Sequence, residues 1–179
     1  MPARKLCAER GQRTVFNFLG PLLNPARPTS QLIGVPTGEL CEPIARVLQL
    51  LGIRRGMVVN GKAGDSAMDE LSTLGENTVA EFYQDRGFSV SRDEPSLFPL
   101  QPATLDDLKG GDAGENAATI RAILAGEDRG PRRDAVLLNA AHALFVAART
   151  KSAIEGWDLA ASVIDDGLAK SKLAELTDD

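Results

Sequence analysis

The sequence is poor in the residues on which redox proteins, zinc proteins and disulfide-rich secreted proteins depend. Its 179 residues include one histidine, two cysteines and only 4% aromatic residues. Cys7 and Cys41 fit no metal-ligand or redox spacing, which indicates two reduced thiols of a cytoplasmic protein. No Ser-His-Asp set, zinc-ligand spacing or phosphate-binding P-loop is present. These absences exclude the commonest hydrolytic, zinc-dependent and nucleotide-hydrolysing mechanisms.

The sequence also lacks long hydrophobic runs and an excess of positive charge. No apolar run approaches the ~18 residues of a membrane span, and no charged-then-apolar signal sequence opens the chain. The net charge is −5, which argues against nucleic acid because that binding is driven by neutralising phosphates. We therefore expect a cytoplasmic protein with neither a membrane nor a nucleic acid as partner.

The composition that is present is that of a globular protein. Hydrophobic residues make up 43% of the chain and charged residues 25%, and a chain of this length can bury a sizeable core. We detect no internal repeat and no low-complexity linker. The sequence thus predicts a single α/β domain over residues 1–179.

Hydrophobic periodicity predicts the elements of that domain. Residues 31–35 and 57–59 are short apolar runs typical of buried strands, and a 4-3-4 apolar stripe between them indicates a helix over 39–51. A strand–helix–strand unit implies parallel pairing with a right-handed crossover. Two further strands, at 78–83 and 88–90, can pair antiparallel around a glycine. The pattern predicts a mainly parallel sheet flanked by helices, those after the first lying near 113–125, 134–149 and 153–175.

Two features of the sequence could carry chemistry. Asp69 and Glu70 are adjacent carboxylates in a loop, a possible anchor for Mg²⁺, although a solvated acidic loop or a helix start has the same pattern. Arg13 lies among large apolar residues and needs an anionic partner, because an unpaired buried cation costs several kcal/mol. That partner is either a carboxylate of the protein or a ligand from outside.

The segment Gly110-Gly111-Asp112 has the form of a phosphate cradle, but Glu115 three residues after Asp112 favours a helix-capping role.

Several separate blocks of the chain carry a resemblance to a known family. The chain resembles the anthranilate phosphoribosyltransferases of tryptophan biosynthesis in five blocks that follow the family's order: Gly11–Pro25, Met68–Ser72, Gly110–Ala117, Leu138–Ala141 and Gly156–Ala169. The family's helical N-terminal region, its Gly-Thr-Gly-Gly-Asp loop and its Lys-His-Gly-Asn segment have no counterpart here. The chain therefore looks like the C-terminal α/β half of such an enzyme.

The resemblance implies a fold, a reaction and a set of site residues. The implied fold is that of the C-terminal domain of nucleoside phosphorylases and phosphoribosyltransferases. The implied reaction joins anthranilate to the phosphoribosyl group of phosphoribosyl pyrophosphate, with Mg²⁺ as cofactor, in a homodimeric parent enzyme. Arg13 matches the arginine that contacts the anthranilate carboxylate, and Asp69 and Glu70 match the pair that binds magnesium. One departure lies nearby, since Asn60 stands where relatives commonly have histidine.

Two other hypotheses stay open at this point. The chain could be a non-catalytic orphan domain, or a half-enzyme that needs a separate N-terminal partner. It could also be a relative of the pyrimidine-nucleoside phosphorylases, which share the fold. Because the phosphate loop is missing, we expect no turnover by the 179-residue chain alone. We also expect the chain to associate with itself or with a missing half through apolar residues at its start, namely Phe16, Phe18, Leu19, Leu22 and Leu23.

Overall fold

The computed structural model describes residues 16–84 and 86–177, and side chains from residue 19 onwards. Arg13 therefore lies outside the described residues. The described helices are α1 (Phe16–Leu22), α2 (Cys41–Leu50), α3 (Leu105–Leu108), α4 (Ala113–Leu124), α5 (Pro131–Val146), α6 (Ala153–Asp165) and α7 (Leu168–Thr177). The described strands are β1 (Ser30–Gly34), β2 (Arg55–Ala63), β3 (Ser66–Met68), β4 (Asn77–Tyr83) and β5 (Gly87–Asp93). Among these helices, none has the length and apolar character that crossing a membrane requires.

The five strands form one mixed sheet. Its order is β1-β2-β4-β5, with β3 paired to β2. Strands β1 and β2 are parallel, with Leu32 opposite Met57, and α2 forms the predicted crossover between them. The α/β class, with a sheet flanked by helices, is confirmed.

The expectation of a mainly parallel sheet is wrong. Only the β1–β2 pairing is parallel in the described sheet, and β2–β3, β2–β4 and β4–β5 are antiparallel. A parallel return needs a crossover of a dozen or more residues, usually a helix. The segment from β2 to β4 contains the short strand β3 and a loop over 69–76 with no helix, and the connection from β4 to β5 is short, so each strand returns antiparallel.

The core lies on both faces of the sheet because successive residues of β2 point to opposite sides. On one face, Val58 packs in a buried cluster with residues of α2, among them Leu48. On the other face, Met57 and Val59 pack with α5 and α6, and Trp157 belongs to this cluster. Burial on both faces explains why β2 has a continuous apolar run rather than an alternating pattern.

The helices of the second half follow the sequence prediction with one correction. The start of α4 is a capping box: Asp112 Oδ1 accepts from Glu115 N at 2.9 Å, and Glu115 Oε2 accepts from Asp112 N at 3.0 Å. This confirms the capping role of the glycine-rich segment. The single helix expected over 153–175 is instead two helices, because Gly167 adopts φ +74°, the left-handed conformation in which helices commonly end.

Candidate metal-binding site

The two predicted carboxylates lie in a loop packed against the carboxyl end of β1. We call residues 68–75 the acidic loop. A Cβ added to Gly34, the last residue of β1, would lie 1.5 Å from the main-chain oxygen of Asp69. A Cβ on Gly61 of β2 would lie 2.7 Å from the main-chain oxygen of Glu70. Glycine at both positions therefore lets the main chain of the loop approach the sheet more closely than any side chain would permit.

An asparagine of α5 holds the middle of the acidic loop. Asn139 Oδ1 accepts a hydrogen bond from Leu71 N at 3.0 Å, and Asn139 Nδ2 donates to Leu71 O at 3.0 Å. The side chain of Leu71 is buried in the core beneath the loop. The residue that follows Glu70 is thus fixed through its side chain and through both polar groups of its main chain.

Two asparagines of the sheet hold the ends of the same loop. Asn60 Nδ2 donates to Val35 O at 2.8 Å and to Met68 O at 2.9 Å. Asn77 Oδ1 accepts from Ser72 N at 2.7 Å, and its Nδ2 donates to Ser72 O at 3.0 Å. Both side chains are buried, where amide groups need hydrogen-bond partners. Asn60 thus joins β2 to Val35, which follows β1, and to Met68 at the end of β3.

The electrostatics at the two acids favour a bound cation. The side chains of Asp69 and Glu70 are exposed. Partial desolvation and, after it, the charge of Asp69 raise the pKa of Glu70 above its ordinary value. Both causes disfavour the ionised carboxylate, and a cation close to it would relieve them.

The acids alone do not form a complete metal cage. Among the described residues, no group of three or more histidine, cysteine, aspartate or glutamate side chains could hold a metal ion. Mg²⁺ is commonly bound through one or two carboxylates, with waters and substrate phosphates as its other ligands. The pair therefore fits magnesium that arrives with a phosphate-bearing ligand.

Glu70 also lines an open cleft of about 720 Å³ between the acidic loop and α4 and α5. Lys109 and Arg132 also line it. Arg132 Nε donates to Asp107 O at 3.0 Å, and its Nη2 donates to Lys109 O at 3.0 Å, so main-chain carbonyls fix the guanidinium. The lining of the cleft thus combines the carboxylates of Glu70 and Glu115 with two cationic side chains, and its volume is in the range of small-molecule sites.

The lone histidine lies away from this chemistry. His142 Nδ1 is 2.8 Å from Leu138 O, and its ring centroid is 5.7 Å from that of Phe98. Burial lowers its pKa. Its packed environment fits a structural residue rather than a base.

Sequence reasoning found the acids but missed the three asparagines that support them. The available signal was a polar amide inside an apolar pattern, as at Asn139 between Leu138 and Ala141. Such a residue needs a partner when it is buried. The pattern does not say which partner, because Asn139 and Leu71 are 68 residues apart in the chain.

Comparison with known proteins places the chain in a family. Residues 2–170 match the family model described as "Glycosyl transferase family, a/b domain". The chain belongs to this glycosyl transferase family. Over 168 residues it is 48% identical to an anthranilate phosphoribosyltransferase of Geobacter sulfurreducens. The matched segment covers 94% of this chain and 47% of the relative.

Solved structures of this glycosyl transferase family support the same assignment. The structure of anthranilate phosphoribosyltransferase from Thermus thermophilus superposes with a TM-score of 0.80 at 41% identity, over 94% of this chain and 48% of that one. The structure of the Saccharomyces cerevisiae enzyme in complex with phosphoribosyl pyrophosphate and magnesium superposes with a TM-score of 0.79 at 28% identity, over 96% of this chain and 47% of that one. These likenesses confirm the predicted fold type. The chain spans about half the length of the relatives it matches.

Proposed function

We propose that this chain provides the metal-binding part of an anthranilate phosphoribosyltransferase. The observation that carries the proposal is the pair Asp69 and Glu70, held at the edge of an open cleft in a member of the glycosyl transferase family. The raised pKa of Glu70 and the relative of Saccharomyces cerevisiae with magnesium and phosphoribosyl pyrophosphate support it. The names of the matched relatives favour anthranilate phosphoribosyl transfer over nucleoside phosphorolysis.

In the proposed reaction, the amine nitrogen of anthranilate bonds to the anomeric carbon of the ribose while the bond from that carbon to pyrophosphate breaks, and the nitrogen releases one proton to water. When bound, Mg²⁺ would neutralise the negative charge that develops on the leaving pyrophosphate. Asp69 and Glu70 would bind and orient that ion. The chemistry needs little acid–base machinery, which fits the packed position of His142.

The role of Arg13 remains a proposal from its chemistry. A planar guanidinium binds a carboxylate through two parallel hydrogen bonds, and lysine does not reproduce this geometry. We propose that Arg13 binds the carboxylate of anthranilate.

We also propose that residues 1–179 fold as one domain, which the two core clusters on a single sheet support. The cytoplasmic location and the homodimeric parent expected from the sequence stay predictions.

The test measures binding rather than turnover, because the chain spans about half the length of its relatives and the half-enzyme hypothesis predicts no product from the chain alone. Mn²⁺ replaces Mg²⁺ as a probe for electron paramagnetic resonance. We expect the 179-residue chain to bind Mn²⁺ when phosphoribosyl pyrophosphate is present and only weakly without it. Asp69→Asn and Glu70→Gln should each weaken this binding at least ~10-fold, by analogy with changes around other metal sites.

The matched control is Asp65→Asn, which removes an exposed acid from the turn between β2 and β3. It should leave the affinity for Mn²⁺ unchanged. Equal binding by wild type, Asp69→Asn and Glu70→Gln would show that the pair is a solvated acidic loop and would refute the proposal. Tight binding of Mn²⁺ without phosphoribosyl pyrophosphate would contradict the inference that phosphate oxygens supply most ligands.

A further inference from the structure

Asn139 bonds to the main chain of Leu71, the residue after Glu70, and can therefore control the geometry of Glu70. We propose that Asn139 is a positioning residue, whose two hydrogen bonds to the main chain of Leu71 hold Glu70 in the orientation that binds the metal ion. This inference rests on the proposed function. It adds a residue of α5 to a site that otherwise consists of the acidic loop.

The two peptide groups that flank Glu70 are located by different parts of the fold. A peptide group is planar, so the hydrogen bond from Leu71 N to Asn139 fixes the plane that joins Glu70 to Leu71. The oxygen of that same peptide group lies against Gly61. The preceding peptide group, between Asp69 and Glu70, lies against Gly34. With both planes fixed, the Cα–Cβ direction of Glu70 is set by the fold.

The amide of Asn139 is itself held rigidly. Its Nδ2 donates a second hydrogen bond, to Ala135 O of its own helix at 3.1 Å. The preceding residue of α5, Leu138, is 1% exposed and belongs to the core cluster under the sheet. The orientation of the amide is therefore set by packed structure, which is what a supporting residue of a precise site requires.

The function of such support is to keep two repelling acids in place. Asp69 and Glu70 are adjacent acids of like charge, and a loop without support could turn their carboxylates apart. A metal ion would then have to order the loop as it binds, and the affinity would fall by the cost of that ordering. Loss of partners around metal ligands typically lowers affinity about 10–100-fold.

Asn139→Ala removes both bonds to Leu71. We expect it to weaken binding of Mn²⁺, measured with phosphoribosyl pyrophosphate present, by about 10–100-fold, with the same number of ions bound at saturation. The control is Asn24→Ala. Asn24 Oδ1 accepts a hydrogen bond from Ala26 N at 3.0 Å, and Asn24 is not among the residues that line the cleft, so its removal should leave the affinity unchanged.

Affinity measured at a temperature where every variant is folded separates positioning from general destabilisation. A merely structural role of Asn139 would lower the unfolding temperature without changing the affinity of the folded chain for Mn²⁺. A positioning role lowers that affinity, and Asn24→Ala should keep the wild-type value. Circular dichroism at the same temperature verifies that each variant is folded.

The outcomes are distinct. If Asn139→Ala lowers the unfolding temperature but keeps the wild-type affinity, or if Asn24→Ala loses as much affinity, the positioning role is refuted while the proposed function stands. If Asp69→Asn and Glu70→Gln leave the binding of Mn²⁺ unchanged, the proposed function and the positioning role of Asn139 are both refuted. If Asn139→Ala does not fold, Asn139→Gln takes its place. It keeps the amide but moves it by one methylene, and wild-type affinity in that variant would refute the role.

Discussion

At the scale of single residues, Glu70 shows how a binding residue can oppose the stability of the fold that holds it. Partial desolvation and the charge of Asp69 raise its pKa in the folded chain. A raised pKa means that the folded state binds the proton more tightly than the unfolded state does. Stability from this group is therefore fully present below the ordinary pKa of glutamate, ~4.3, and is lost as pH rises through the folded pKa.

Glu70→Gln removes this loss of stability at high pH, because glutamine does not ionise. We expect the variant to have a higher thermal unfolding midpoint than the wild type at pH 7, although it binds the metal less well. The difference should shrink as pH falls below the ordinary pKa of glutamate, because the wild-type side chain is then protonated in both states. Thermal melts followed by circular dichroism at both pH values provide the measurement. A variant less stable than the wild type at pH 7 would mean that Glu70 has a stabilising partner.

Sequence reasoning reached the acids and not their supports for a physical reason. Asp69 and Glu70 are neighbours in the sequence, so the sequence alone predicts that their two carboxylates lie together. The contact of Asn139 with Leu71 spans 68 residues, and the approach of Gly34 to Asp69 depends on how β1 packs beside the loop. Such contacts exist only after folding, and local patterns do not encode them.

At the scale of elements, Arg133 and Asp165 join α5 to α6. The Arg133 side chain is only 6% exposed, and its Nη1 donates to Asp165 Oδ1 at 2.8 Å. This hydrogen bond, followed by the charges of Arg133 and Arg129, holds the pKa of Asp165 below its usual value. A lowered pKa contributes stability that is present above the ordinary pKa of aspartate, ~3.9, and is lost as pH falls through the folded pKa.

Asp165→Asn should therefore lower the thermal unfolding midpoint at pH 7, because it leaves the nearly buried cation of Arg133 without its carboxylate. The gap to the wild type should close as pH falls through the acid range, where the wild-type carboxyl is also protonated. Asp166→Asn is the matched control, since Asp166 is the next residue and is exposed. An equal effect of both substitutions would show that general charge, rather than the Arg133 contact, is responsible.

The elements also show which parts of the fold the sequence could predict. The β1–α2–β2 unit has a clear apolar period in each part, and the structure contains it with parallel pairing. The antiparallel pairing of β4 with β5 was expected and is present. The direction of β4 relative to β2 was harder to predict, because an apolar run is the same whichever way the strand pairs. Direction depends on the connections, and the absence of a helix in 64–76 is the signal that forces the antiparallel return. The break at Gly167 depends on a single dihedral angle.

At the scale of the whole molecule, apolar side chains near α1 remain uncovered in the described structure. Leu23 is 64% exposed and Leu51 is 55% exposed, and both line the same surface cavity between α1 and the end of α2. Leu50, beside Leu51, is 87% exposed. Leu19 and Leu22 are half-buried, while the side chains of the two phenylalanines in the sequence prediction lie outside the described part. Contiguous exposed apolar surface is a site of association or aggregation.

We expect the 179-residue chain to self-associate through this surface as its concentration rises, because contact there removes leucine side chains from water. The measurement is light scattering over a concentration series. The double variant Leu23→Lys, Leu51→Lys should shift the chain toward the monomer, since charge at the contact both repels and remains hydrated. Leu176→Lys is the control, because Leu176 is 78% exposed on α7 rather than beside α1. A wild-type chain that stays monomeric at high concentration, or equal dissociation by the control, would contradict the prediction.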